Sequence, residues 1–100
     1  MVTLINPFEI KSEDEADFLA YWQAAADYMQ GQKGFINSQL HKSMMPGCRF
    51  MFINIAEWAS AEDFQNAINC DEFKTLTEPK REQFPHFPGL YQSVRVVGLD

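Results

Sequence analysis

The ten residues from Arg49 to Trp58 constrain the fold more than any other stretch of the chain. β-Branched and aromatic side chains fill the first half of this run, the composition a pleated strand favours. Side chains alternate between the two faces of a strand. Phe50, Phe52, Asn54, Ala56 and Trp58 therefore share one face, and Arg49, Met51, Ile53, Ile55 and Glu57 the other. Both faces are apolar at the centre, so the strand is expected to be covered on both sides. A chain of 100 residues forms one domain, residues 1–100, with one core of ordinary size. It is short of material to cover both faces of one sheet. The first face also sets two hydrogen-bonding residues, Asn54 and Trp58, among apolar neighbours.

The other elements arrange themselves around this strand. Val2 to Ile10 reads as a first strand, with Val2, Leu4, Asn6 and Phe8 on one face and Pro7 near an edge, bulge or strand end. Ser12 and Glu15 form a capping-box pattern, which predicts a helix from there to about Gln32. Phe18, Tyr21, Trp22, Ala25 and Met29 make its apolar stripe, and Gly31 and Gly34 end it. Phe35 to Ser43 is expected as the second strand, with Ile36 and Leu40 on one face and Phe35, Asn37, Gln39 and His41 on the other. Met45-Pro46-Gly47-Cys48 has Pro second and Gly third, as a type II turn requires, so strands two and three form an antiparallel hairpin. Ser60, with Asp63 three residues on, caps a second helix that buries Phe64, Ala67 and Ile68. A further helical turn is expected from Asp71 to Leu76. Pro79, Pro85 and Pro88 rule out a regular helix or an interior strand, leaving about Pro79 to Gly89 as a long loop of the kind that serves as a lid, binding loop or interface arm. Tyr91 to Val97 is the last strand.

The order strand, helix, strand, strand, helix, strand is the split β-α-β plan, an α+β ferredoxin-like (βαββαβ) fold with an antiparallel sheet. Right-handed crossovers put the first and third strands at the centre and both helices on one face. The other face is left bare, with Met51, Ile53 and Ile55 turned to water. Such a patch marks an association surface, so a homodimer packed through the open sheet face is expected.

Charge and composition exclude several function classes. The net charge of −6 offers no basic patch to nucleic acid or to an anionic membrane. No apolar run reaches the roughly 20 residues of a membrane span, and the N-terminus lacks a signal-peptide pattern. Cys48 and Cys70 have no metal-ligand spacing and fit two free thiols of a cytoplasmic protein. No phosphate loop, dinucleotide fingerprint or carboxylate pair beside a His is present. His41 and His86 stand alone and are read as structural or edge residues. Asn54 and Trp58 carry the sharper reading. Either Trp58 is core and Asn54 finds a backbone partner, or both line a cavity between sheet and helices, joined by Asn6. Four residues along a strand span about 13 Å, so the pair would bracket a flat ligand of two or three fused rings.

Asn6-Pro7-Phe8, Gly34-Phe35, Asn54-Ile55-Ala56-Glu57-Trp58, the helix start Ser60 to Phe64, and Pro88-Gly89-Leu90-Tyr91 occur in an order and spacing that resemble the antibiotic biosynthesis monooxygenase family over nearly the whole chain. The resemblance implies a dimeric α/β barrel. It also implies a cofactor-free oxidation of polycyclic phenols or anthrones by O₂, with Asn54 and Trp58 in the pocket. The family's oxygenases use a Tyr and an Arg further on. Phe64 stands soon after the tryptophan instead, and Arg81 is the candidate arginine. The expected chemistry needs no cofactor: a substrate phenolate or enolate supplies the electron, and the protein binds the ring and favours its anion. Asn54 and Trp58 would donate to the oxyanion, while Asn6, Trp22, Phe50, Phe52 and Phe64 would hold the small aromatic ligand. The haem-degrading branch of the same fold is the alternative. It fits Asn6, but the positions for its Trp and axial His fall near Ala67 and Thr77. A non-catalytic dimeric ligand-binding module is the other.

Overall fold

The structure is a computed structural model that describes residues 1–99. Strands β1 (Val2–Phe8), β2 (Phe35–Lys42), β3 (Phe52–Trp58) and β4 (Gly89–Tyr91) form one antiparallel sheet in the order β2-β3-β1-β4. Helices α1 (Glu15–Gln30), α2 (Ala61–Ile68) and α3 (Asp71–Thr77) accompany it. This is the α+β ferredoxin-like plan, with β1 and β3 central as the crossover rule requires.

The type II turn is present. Gly47 takes φ +74° and the Cys48 N–H donates to the Met45 carbonyl at 3.4 Å. It sets the hairpin register, with Lys42 opposite Phe52 and Ser38 opposite Ala56. A bulge between Phe35 and Asn37 then shifts the register by one residue. That extra residue turns Phe35 to the helix-covered side, edge-on to Trp58 at 5.4 Å, rather than to the side of Asn37 as strict alternation expected. Gly34 opens β2 at φ +87°, where a Cβ would run into the Asp63 side chain. A left-handed residue here must be glycine.

Ser60 caps α2 by accepting from the Asp63 N–H at 3.1 Å. The corresponding cap at Ser12 does not form. Ser12–Asp14 is a short 3₁₀ turn, α1 starts at Glu15, and no side chain caps either. The helix stops at Gln30, two residues early, because Gly31 takes its place as C-cap with φ −88°. Tyr28 Oη donates to the Ala67 carbonyl at 2.9 Å and ties α1 to α2.

Three expectations are corrected, two after α3 and one at the start of β3. The segment after α3, read as a loop that could serve as lid, binding loop or interface arm, is not wholly irregular. It begins as a 3₁₀ turn (Glu78–Lys80) and buries Phe84 to 1% exposure. It is then pinned to β1 by bonds from the Glu9 N–H to the Pro85 carbonyl and from the Phe87 N–H to the Pro7 carbonyl, both 3.0 Å. The last strand runs from Gly89 to Tyr91, not Tyr91 to Val97. Beyond it Val94, Val97 and Leu99 are 85%, 94% and 80% exposed. Met51 lies outside β3 and packs on the Phe8, Ile10 and Phe52 cluster instead of joining the bare face. That face carries Ile5, Pro7, Ile53 and Ile55 at its centre by register. Asn37, Gln39 and His41 lie along its β2 edge, and Thr3 donates to Glu57 at 3.0 Å.

Candidate functional site

A cavity of about 300 Å³, partly open to solvent, lies between the sheet and the helices. It exists because of side chains that stop at Cβ. Ala25 and Ala26 of α1 face Ala56 of β3 across it. Its volume is at the low end of the range for small-ligand sites, about 300–1,000 Å³, and suits two or three fused rings.

The walls are mostly apolar: Leu4, Phe8, Trp22, Met29, Phe35, Phe64 and Phe73 among others. Asn6, Asn54, Trp58, Trp22 and Phe64 all line the cavity. Phe52 shares their strand face but is sealed beneath Phe18, 4.9 Å between rings, in the solid aromatic cluster. Phe50 stands outside β3 altogether. It packs edge-on to Phe87 at 5.7 Å with the Arg49 guanidinium 4.8 Å above its ring. Neither of the two belongs to the cavity wall.

Polar groups cross the cavity floor in a row. Asn6 and Asn54 are direct partners across β1 and β3, which places their Cβ atoms about 4.5–5.5 Å apart. Ser38 Oγ donates to Asn54 Oδ1 at 2.6 Å, leaving the Asn54 amide N–H₂ as the free donor. Asn6 Oδ1 is buried without a hydrogen-bond partner. An orphaned acceptor in a protein interior costs on the order of 1–3 kcal/mol, and a ligand O–H or N–H would satisfy it. A free donor thus sits beside a free acceptor. Trp58 is 1% exposed, held edge-on between Phe35 at 5.4 Å and Phe64 at 5.5 Å, so most of its ring is core and only an edge meets the cavity.

Sequence reading missed three contributors, and it named a fourth, Arg81, only as the arginine the resemblance implies. Ser38 could have been found by counting the register back from the turn. Tyr21 was assigned to the helix stripe alone. Arg81 and His86 come from the segment read as a loop, and both line the cavity with Tyr21. Burial raises the Tyr21 phenol above its ordinary value, with the Arg81 charge acting the other way. His86 titrates below the ordinary imidazole range, first because it is half-buried and then because Arg81 is near; a backbone bond at Phe84 opposes both. His41 lies opposite Ile53 at the open face. The two positions weighed for haem behave as structure: Ala67 is core, and Thr77 donates to the Phe73 carbonyl at 2.9 Å.

Residues 1–87 match the family model of antibiotic biosynthesis monooxygenases. The chain belongs to this family. A protein of Shewanella loihica PV-4, provisionally described as a monooxygenase, shares 34% identity over 95% of each chain, with a TM-score of 0.81. SnoaB of Streptomyces nogalater, a cofactor-independent oxygenase, shares 22% identity over 96% of this chain and 95% of its own, with a TM-score of 0.82. A family member from Deinococcus radiodurans superposes with a TM-score of 0.80 at 9% identity, over 100% of this chain and 99% of that one. The search of curated proteins gave no match. This antibiotic biosynthesis monooxygenase domain has no metal-binding group of three or more His, Cys, Asp or Glu among its described residues. No helix among them is long and apolar enough to cross a membrane.

Proposed function

We propose that this family member is a cofactor-independent monooxygenase that oxidises a planar phenol or anthrone of two or three fused rings with O₂. One observation carries the reading. The free donor of Asn54 and the orphaned acceptor of Asn6 stand side by side on the floor of a cavity with flat, apolar walls. A ring with one oxygen atom to accept and one hydroxyl to donate answers both. The similarity to SnoaB supports the same reaction class. The ring, once ionised, gives an electron to O₂. Recombination forms the C–O bond, and loss of water converts a ring CH₂ to C=O, so CH₂ and O₂ become C=O and H₂O. The protein contributes donors at the developing oxyanion and a site shielded from water. Asn54 holds the oxyanion, Asn6 orients the ring, and Trp22, Phe64 and the edge of Trp58 wall it in.

The same reading includes a homodimer, acting in the cytoplasm. The open face has an apolar centre at Ile5, Ile53 and Ile55 and a polar edge of Asn37, Gln39 and His41, the anatomy of an interface. The exposed valines of residues 94–97 add apolar surface that a second copy would bury. Sedimentation at micromolar concentration should give twice the mass of the 11.5 kDa chain; a monomer there would end the dimer assignment.

The activity is tested by O₂ uptake in metal-free buffer with a panel of anthrones and dihydroquinones. Uptake above the uncatalysed rate, with quinone formed in proportion, is expected. Saturable binding of the same compounds with no turnover would replace the oxygenase by a binding module.

A further inference from the structure

We propose that His86 is the group that takes the phenolic proton of the bound ring, leaving the electron pair on oxygen. The inference rests on the ligand class argued above but not on the oxidation that follows.

Its ground is placement. The Glu9 N–H bonds to the Pro85 carbonyl and the Phe87 N–H to the Pro7 carbonyl, both along one edge of β1, and these two bonds fix the chain on either side of His86. His86 bridges Phe8, while Gly89 and Leu90 pair with Ile5 and Leu4. By that alternation His86 faces the cavity with Phe8, its ring edge-on at 5.6 Å. Asn6 is two residues from Phe8 on the same face. His86 and Asn6 are therefore diagonal neighbours, about 7–8 Å apart on this geometry. A ring hydroxyl beside Asn6 on the His86 side lies within reach of the imidazole.

Elimination leads to the same residue. Four side chains on the cavity wall are titratable: Tyr21 from α1, Lys74 from α3, Arg81 from the turn after it, and His86. No Asp or Glu stands among them. Lysine and arginine side chains such as Lys74 and Arg81 are donors with no acceptor to offer. The Tyr21 phenol is pushed up by burial and holds its own. His86 is kept in its neutral form by burial and by Arg81, so it alone arrives with a free lone pair. The O–H bond breaks, an N–H bond forms on the imidazole, the phenolate is left beside two cations, His86 and Arg81, and the charge delocalised through the ring is met at its other oxygen by the Asn54 amide. A neutral base within reach of the proton it takes is what general-base catalysis needs.

The probe is 2-hydroxyanthraquinone, three fused rings with no oxidisable CH₂ and a colour change on ionisation. It is added to the protein at a pH where the free dye is un-ionised. Absorbance reads the state of the bound dye. Calorimetry in buffers of different ionisation enthalpy reads the protons released. The wild type should bind the coloured anion with no proton released, because His86 keeps it. His86→Gln, or His86→Phe to preserve the packing on Phe8 where Gln fails to fold, should bind colourless dye or release one proton for each anion bound. A wild type that binds neutral dye, or variants with the wild-type colour and proton count, would overturn the assignment. The kinetic arm uses dithranol and O₂ uptake. His86→Gln should lose about 10²–10⁴-fold in rate at neutral pH and recover as the pH rises towards the substrate's own ionisation. Imidazole should rescue His86→Ala. Proton capture without any turnover of dithranol would sink the oxygenase reading while leaving His86 as the base.

Discussion

The two ends of the helix-covered sheet face are built from the same elements and come out opposite in kind. At one end Phe18 of α1 is wholly buried, with ring centroids of Phe8, Phe52 and Phe84 at 4.8, 4.9 and 5.5 Å. Seven residues further along the same helix, on the same stripe, stands Ala25, and there the interior is hollow. The sheet below mirrors the change: Phe8 and Phe52 under the solid end, Asn6, Asn54 and Ala56 under the hollow one. Hydrophobicity does not separate the two regions, since both are lined by aromatic rings. Side-chain length on one helical stripe does. The solid end is the anchor that lets the other remain open in a domain of 100 residues.

Removing the anchor should have the largest effect on stability. Phe18→Ala takes a fully enclosed ring from the centre of four aromatics and leaves a cavity at the end that has none. A loss of about 3–5 kcal/mol is expected, a large share of the roughly 5–15 kcal/mol available to such a domain. Urea unfolding with an unchanged m-value measures it. A loss under about 1 kcal/mol would show that the two ends are equally loose.

At the hollow end the largest effect should fall on rate instead. Asn54→Ala removes the free donor and strands the Ser38 hydroxyl. Losing one oxyanion donor costs on the order of 2.7–4 kcal/mol of transition-state stabilisation, or about 10²–10³ in rate, while the melting temperature should move little. Early melting with normal turnover per folded molecule would mark Asn54 as structural. Trp58 is a different matter. Its burial between Phe35 and Phe64 means Trp58→Phe should cost stability as well, so it separates the two roles less cleanly.

The anchor was largely visible in the sequence and the hollow only in part. Alternation along β3 and the α1 stripe put Phe52 and Phe18 on core-facing positions, and they met. The same alternation put Asn54 and Asn6 on that face, and the turn chemistry of Pro46 and Gly47 fixed the register that makes Ser38 reach Asn54. The bulge after Phe35 was not legible, because strict alternation carries no mark of an extra residue. Nor was the path of residues 79–88. Three prolines forbid regular hydrogen bonding, yet they do not forbid a bridge of His86 to Phe8 or the burial of Phe84. Those contacts are set by what β1 offers, not by local propensity. Phe50 shows the limit from the other side. Periodicity extended β3 back to Arg49, but the chain is off the sheet there, with Phe50 edge-on to Phe87 and Arg49 paired with Glu9 at 2.7 Å.

A smaller effect should distinguish the ends by pH. His86 has a folded-state pKa below its unfolded value of about 6.5. The native state then binds fewer protons than the unfolded one between those two values, and stability falls as pH drops through that window. Above about pH 6.5 the group has no effect. His86→Gln should flatten that part of the stability curve, measured by urea midpoints from pH 7 to pH 5, and Phe18→Ala should leave its slope unchanged. An identical slope in the wild type and His86→Gln would place the titration elsewhere.

The smallest effect on stability, and the sharpest contrast, should come from adding bulk at each end. Phe18→Trp forces extra atoms among rings already in contact, and overpacking of that kind costs about 1–3 kcal/mol. Ala25→Leu adds more carbon to the same helical stripe, but into space. Leu is nearly as good a helix former as Ala, and its side chain gains apolar cover against Met29, Phe64 and Ala56 on the cavity wall. The lost rotamer freedom of a buried Leu is about 0.5–1 kcal/mol and offsets part of that gain. The net change should stay within about 1 kcal/mol of zero. The ligand should suffer instead. A fused ring and a leucine cannot share the space between Ala25 and Ala56, so affinity for 2-hydroxyanthraquinone should drop by tenfold or more while the fold, read by circular dichroism, is unchanged. If Ala25→Leu destabilises the protein as much as Phe18→Trp does, the hollow end is packed after all and the cavity is no binding site. If stability holds but the ring still binds, the ligand lies elsewhere on the molecule.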